Sequence, residues 1–506
     1  MSTLLSLVFS HAESHPRDAA LMSDDEVVSW AALRERVRGT AEALRAAGVQ
    51  AGDRIVVVSE NSIPSVVCML ALHALRSWPA VMNARMPTAE LSAMADCIAP
   101  RLLLFSAETS EHAAAHERHF GATPLAQESC GPMSHALYDA GAIPECCPSD
   151  PAEDVGALIF TSGTTGKPKA VMISQKGLLA KGRSVARLRG TRGGEVVNLA
   201  APFSHAMGWA TVAASLAARA ALRIPRRMEP TDLARAIASG QVNQASMVPM
   251  GWSRLLAQIE RERIDISGHS LRNMVSGGAP LDPALQARIE KAFGRSIANS
   301  YAMTEFFPLA RMGPSSIREP WSVGTPSEGV EIRIIGSGGE VLAQGEIGEI
   351  QARGSGIMLG YYRNQAATDE VILEGGWYAT GDLGKRLASG DLAVVGRRKE
   401  MIIRSGFNVY PAEVEGAIND HPAVRHCAVV GELAAQGDER VVAYVQPKDP
   451  AADTEVLRKE LEAHVRTRLA AYKCPSHFEF VATMPMGSTG KILKRMLVRP
   501  AITPAS

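Results

Sequence analysis

The residues of this chain that could do chemistry crowd most densely into Thr161-Ser162-Gly163-Thr164-Thr165-Gly166-Lys167-Pro168-Lys169. Glycines let a backbone bend close to an anion, hydroxyl and N–H groups donate to phosphate oxygens, and Lys167 and Lys169 add positive charge. That chemistry suits a polyphosphate. It is not a Walker loop, which would need glycine at Thr161 and a hydroxyl residue at Pro168. On composition alone, a polar surface loop competes with it. Other stretches say less by themselves. A lone His205 in Pro202-Phe203-Ser204-His205-Ala206-Met207-Gly208 is more often a satisfied core residue, and Ser276-Gly277-Gly278-Ala279-Pro280 reads equally as an ordinary turn. Three basic residues at Arg397-Arg398-Lys399 are usually a solvated face, and Gly490-Lys491 near the end of the chain is normally just exposed.

Followed in order, these stretches resemble the motifs of the adenylate-forming superfamily of acyl- and aryl-CoA synthetases, peptide-synthetase adenylation domains and beetle luciferases. The match runs over nearly the whole chain. The resemblance implies that Thr161, Ser162, Gly163, Thr164, Thr165, Gly166 and Lys169 hold the phosphates of ATP, and that His205 shapes the carboxylate site. It lays Gly278, Ala279 and Pro280 along adenine. In Asn299-Ser300-Tyr301-Ala302-Met303-Thr304-Glu305, the Tyr301 ring stacks on adenine, Asn299 and Ser300 border the nucleotide, and Thr304 meets the α-phosphate. Glu305 takes Mg²⁺, a hard ion that favours carboxylate and phosphate oxygens. Most members have glycine where Ala302 stands, which bears on pocket depth. Gly354 to Tyr361 resembles a structural loop with no chemistry assigned. Asp382 would hold both ribose hydroxyls, since a carboxylate accepts two hydrogen bonds. Arg397 would reach the ribose and Lys399 would be the hinge. Gly406 lets the arm of coenzyme A approach the backbone. Lys491 enters the site for adenylation.

Joining a carboxylate to the α-phosphorus brings two anions together, a repulsion of roughly 4 kcal/mol at about 4 Å and an effective dielectric near 20. Lys491 and Mg²⁺ at Glu305 are the expected neutralising charges, and a thiol then attacks after the small domain turns about Lys399. The acid is argued from what is missing. Amino-acid activators carry an acidic residue shortly after the His segment, and Ala206 to Val212 has none. Siderophore aryl-acid activators usually have His-Asn where this chain has His205-Ala206. The strip Met207, Trp209, Met250, Trp252, Phe306 and Phe307 is apolar and suits an aliphatic or aromatic monocarboxylate. Core packing explains Met250 and Trp252 equally well. The leading expectation is a carboxylate–CoA ligase. The alternatives are an enzyme loading a carrier-protein phosphopantetheine and a nucleotide-binding regulator without turnover.

These residues need a large scaffold. At 506 residues, with 46% hydrophobic and 21% charged, the chain is too long for one small domain and too apolar for disorder. Zero formal net charge gives no field to draw nucleic acid or anionic lipid. The apolar run from Val66 to Met82 is broken by His73 and Arg76, so no bilayer span is expected. The start of the sequence lacks the basic region of an export signal. The 7 scattered cysteines, without a C-x-x-C pair, fit a reducing cytoplasm and neither zinc nor a disulfide framework. A homodimer is left open.

Short β-branched runs at Ile55–Val58, Leu102–Phe105, Ala157–Phe160 and Val196–Leu199 alternate with helical periods, which predicts βαβ units with parallel strands. From Val330, Gly-rich turns predict antiparallel hairpins. The expected fold is α/β: a large domain over 1–396, with βαβ sheets and a barrel-like antiparallel part, then a small α+β domain over 397–506. In the latter, a helix is predicted from Pro411, strands at Cys427–Gly431 and Arg440–Gln446, and a helix from Thr454 to Ala471 with Leu457, Leu461, Val465 and Leu469 on one stripe. Glu111 to Ile143 reads as loop.

Overall fold

The computed structural model describes residues 3–125, 131–161, 168–225, 229–313, 321–433, 438–487 and 492–497. Two sheets with parallel cores build the larger part of the chain. In the first, Arg54–Ser59 lies parallel to both Trp78–Asn83 and Leu102–Phe105. All six residues of Arg54–Ser59 are buried. Ile55 and Val57 face one apolar cluster while Val56 and Val58 face another, as the two-residue strand period requires when both faces are covered.

In the second sheet, Val196–Asn198, Gln244–Met247, Asn273–Gly277 and Ile297–Tyr301 are successive parallel neighbours. Beyond Ile297–Tyr301 pairing turns antiparallel through Ala310–Arg311 and Ser322–Pro326. The sheet then continues into Leu392–Arg397, Trp377–Arg386, Gly348–Gly354 and Val330–Ile335. Ligands of α/β sheets sit outside the carboxyl ends of parallel strands. That rule directs attention to Gly277 and Tyr301, the last residues of their strands.

Four expectations of element are revised. Val155–Thr161 is a strand, but it pairs antiparallel with Lys169–Ser174, so the phosphate-loop motif tips a hairpin. Its connection is too short for a parallel crossover, which takes a dozen residues or more. The stretch read as loop holds a helix at Glu111–His119 and two strands, Ser134–Leu137 beside Leu102–Phe105 and Thr123–Pro124 at the sheet edge. Only Ala113 and His116 of that helix are buried, so it has no apolar stripe to announce it. The helix beginning at Thr454 ends at Arg466, not at Ala471. Leu457, Leu461 and Val465 are buried within it, and Leu469 packs on the same cluster from the turn beyond. Finally, the strand predicted to reach Leu199 stops at Asn198.

The C-terminal part has interiors of its own. One cluster joins Ile402, Val414, Ile418, Val429, Val441 and Leu461, and a second joins Val430, Tyr444 and Met484. Pro411–Asn419 and Thr454–Arg466 cover a sheet in which Glu439–Pro447 pairs antiparallel with Val424–Leu433 and parallel with His477–Phe480. Among the described residues, no helix is long and apolar enough to cross a membrane.

Candidate active site

His205 stands at the N-cap of helix Ala206–Ala218, half-buried. The loop before it is held by a residue that sequence reading did not single out. Asn61 donates from Nδ2 to the carbonyls of Leu199 at 3.3 Å and Ala201 at 2.9 Å, and its Oδ1 accepts from Phe203 N at 2.7 Å. The helix then presses so closely on this loop that a Cβ at Gly208 would lie 2.2 Å from Pro202 O. Only glycine fits there.

Met207 reaches from this helix to the next strand end. Its Cε lies 3.3 Å from where a Cβ on Gly277 would stand and 3.7 Å from one on Gly278. Gly278 itself has φ +77, a left-handed turn that favours glycine, and Gly278 and Ala279 are half-buried with Pro280 exposed. Met250 is half-buried at the start of helix Pro249–Glu262.

The rest of the predicted acyl strip is placed differently. Trp209, Phe306, Phe307 and Trp252 are all buried, in core clusters. Trp209 packs on Phe203 with ring centroids 4.7 Å apart. Trp252 donates its indole N–H to Val275 O at 3.0 Å and meets Phe293 edge-on. Large aromatics bury the most area in such interiors, so these four pack behind the cleft, and Met207 and Met250 are the members of the strip left partly open.

Tyr301 brings its hydroxyl to Asp382, donating to Oδ2 at 2.7 Å. Across the strand pair, Asp382 stands directly opposite Arg397, whose Nε is 3.4 Å from Asp382 Oδ1. Asp382 N also donates to Thr380 Oγ1 at 3.0 Å. Burial, with the Asp382 charge beside it, raises the Tyr301 phenol well above its ordinary range, so it stays a donor. A carboxylate has about four acceptor positions, and each Asp382 oxygen therefore keeps capacity for a ribose hydroxyl. Asn299 and Ser300 are turned to the sheet instead: Asn299 Nδ2 donates to Ser322 O at 3.0 Å and Ser300 Oγ to Ala310 O at 3.5 Å.

Glu305 follows four residues after Tyr301, past an exposed Ala302 and a half-buried Thr304. The exposure of Ala302 leaves its methyl group outside the packed core. Burial pushes the Glu305 carboxyl up, opposed by a hydrogen bond from Tyr361 and by the positive charges of Arg397 and Lys169. Tyr361 Oη donates to Glu305 Oε1 at 2.9 Å, and Lys169 Nζ sits 4.8 Å from the centre of the Tyr361 ring. Thr161 pairs with Lys169 on the last rung of the hairpin before the connecting motif. Among the described residues no three His, Cys, Asp or Glu side chains gather to hold a metal. A lone carboxylate suits magnesium that completes its shell with phosphate and water, which is how this ion is usually bound.

Three predicted features lie at the edges of this arrangement. Lys399 is exposed in the turn Arg398–Glu400. Gly406, exposed with φ +79, turns the hairpin of Ile402–Arg404 and Phe407–Val409. Ser162, Gly163, Thr164, Thr165, Gly166, Lys167 and Lys491 lie outside the described residues. Met486 and Ile492 form an antiparallel bridge, and Lys494 beyond it bonds Glu400 at 3.1 Å and Glu415 at 2.8 Å.

Tyr301 ends a parallel strand, Asp382 lies on an antiparallel strand of the same sheet, Glu305 sits in the segment after Tyr301 and Lys169 opens the second strand of the hairpin. The architecture is that of adenylate-forming enzymes. The structure superposes on MatB from Rhodopseudomonas palustris bound to ATP with a TM-score of 0.84 at 26% identity, over 98% of both chains. It superposes on the o-succinylbenzoate CoA synthetase of Bacillus subtilis holding its acyl-adenylate with a TM-score of 0.83 at 26% identity, again over 98% of both. A feruloyl-CoA synthase from Amycolatopsis is 32% identical over 487 residues, 96% of each chain. The AMP-binding enzyme profile matches residues 8–362 and that family's C-terminal domain matches residues 413–491. The chain belongs to the AMP-binding enzyme family.

Proposed function

We propose that this chain is an ATP-dependent carboxylate–CoA ligase for an apolar aliphatic or aromatic monocarboxylic acid. It is an AMP-forming acid–thiol ligase that works with ATP, Mg²⁺ and coenzyme A. The observation that carries this reading is the convergence of Tyr301, Asp382 and Arg397 on one side and Glu305, Tyr361 and Lys169 on the other. These come from separate segments of the chain, brought together by strand pairing and by the side-chain bonds between them. Family membership and relatives named for feruloyl and 2-succinylbenzoate thioesters support the same chemistry.

In this reading Asp382 and Arg397 fix the ribose, Gly278, Ala279 and Pro280 line the base, and Tyr301 presents its ring. Asn299 and Ser300 act through the strand carbonyls they bond. Lys169 and the hairpin tip orient the pyrophosphate end, and Thr304 meets the α-phosphate. Glu305 would hold magnesium, which would supply charge neutralisation as carboxylate and phosphorus approach. The substrate carboxylate enters beside His205, with Met207 and Met250 against its apolar body. Attack on the α-phosphorus gives acyl-adenylate and pyrophosphate, with Lys491 offsetting the developing charge. The division falls between residues 396 and 397, the small domain turns about Lys399, and Gly406 then faces the thiol that displaces AMP.

A panel of carboxylic acids, read by pyrophosphate release with and without coenzyme A, tests this. Acid-dependent release and a thioester formed with coenzyme A are the expected results. AMP release only with a holo carrier protein would move the acceptor to that protein, and no release with any acid would leave a binding protein without turnover.

A further inference from the structure

The stretch from Gly354 to Tyr361, to which the resemblance assigns no chemistry, is tied to Glu305 along its length. Met358 N donates to Glu305 O at 2.8 Å, and Phe307 N donates to Gly356 O at 3.3 Å. A Cβ on Gly356 would lie 2.5 Å from the Phe306 ring, so the two segments are in direct contact. At the far end, Tyr361 Oη reaches the carboxylate itself, 2.9 Å from Glu305 Oε1.

Tyr361 is held rigidly for this. It pairs with Val171 on the second strand of the phosphate-loop hairpin, and its backbone N–H donates to Thr368 Oγ1 at 3.0 Å. The Lys169 ammonium lies over its ring at 4.8 Å. A glutamate side chain left alone samples many rotamers, and a metal site built on a single protein carboxylate loses affinity with that freedom.

We propose that Tyr361 is a positioning residue for the magnesium-binding carboxylate: its hydroxyl occupies Oε1 of Glu305 and presents Oε2 to the metal. Its ring couples that orientation to Lys169, the first residue of the hairpin's second strand after the phosphate-loop motif. The proposal rests on Glu305 being the magnesium ligand in the function proposed above.

The test measures ATP binding by titration calorimetry on the full chain, without any carboxylic acid, once with Mg²⁺ and once with EDTA. Tyr361→Phe keeps the ring and removes only the hydroxyl. It is expected to cut the Mg²⁺-to-EDTA affinity ratio by about tenfold, the usual scale for losing a hydrogen bond to a metal-ligating side chain, with the EDTA affinity unchanged. Glu305→Gln should cut the ratio at least as far, and adding Tyr361→Phe to it should change nothing more. If Tyr361→Phe leaves the ratio intact while Glu305→Gln lowers it, the positioning role is wrong and the metal ligand stands. An equal loss with and without Mg²⁺ also overturns the proposal, because it marks general damage to the fold. A ratio unmoved by Glu305→Gln removes the ligand assignment and the proposal with it.

Discussion

Lys181 is buried on helix Gln175–Arg189 behind the cleft. It donates to Gly356 O, has Phe307 O at 3.5 Å, and lies 4.4 Å from the centre of the Phe307 ring. Among the described residues none of its recorded contacts is a carboxylate, and burial brings its pKa down to about 7 from the ordinary 10.5. Between those two values the unfolded chain holds a proton that the folded chain does not, so stability must rise as pH increases through that window. Unfolding free energy measured at pH 7 and pH 9 should show a gain of about 1 kcal/mol per pH unit from this group, and Lys181→Met should lose that gain. An unaltered pH slope in the variant would show that the folded amine keeps its proton across this window. Such residues mark the limit of reading by motif. Asp382 and Tyr301 were legible because their types and order carry the chemistry, whereas Asn61 and Tyr361 matter through contacts 140 and 56 residues away, which no local pattern encodes.

Elements were legible where burial imposed a period. Arg54–Ser59 and Val330–Ile335 announce themselves as a continuous apolar run and as an alternation ending in a Gly-rich turn. Pairing direction was not legible for Val155–Thr161, since a buried apolar strand has the same composition in either orientation, and loop length alone carried the information. The helix Ala206–Ala218 shows how one residue sets an element's position. Gly208→Ala would drive a methyl into Pro202 O and Phe203 Cα, at 2.2 and 2.7 Å, both rigid backbone atoms. The helix start would have to move and carry His205 with it. The expected cost is about 1–3 kcal/mol of stability, read by chemical denaturation, together with a weakened KM for the acid. A variant as stable and active as the parent would mean that the loop yields easily despite Asn61.

For the whole molecule, the reaction proposed above needs both parts of the chain. Arg397 ends the last strand of the large sheet, two residues before Lys399, while Lys491 comes from the far end of the small domain. If rotation about Lys399 serves two half-reactions, Lys491→Ala should abolish adenylate formation, measured as pyrophosphate release. Thioester formation from chemically prepared acyl-adenylate and coenzyme A should persist. Equal loss of both would place the lysine in a step they share. The acid itself was not legible beyond the expectation of an apolar monocarboxylate, because the residues that could grade its size are few and the aromatic members of the predicted strip are buried in core clusters.

The apolar clusters that begin at Ile402 share no member with those of the large sheets. The last hundred residues thus bring a complete interior with them, and what joins them to the remainder is surface contact such as helix Pro411–Asn419 against Trp321, where a Cβ on Gly416 would come within 2.9 Å. Recombination between relatives could then graft a foreign tail at this seam and need to retune little more than the Trp321 neighbourhood.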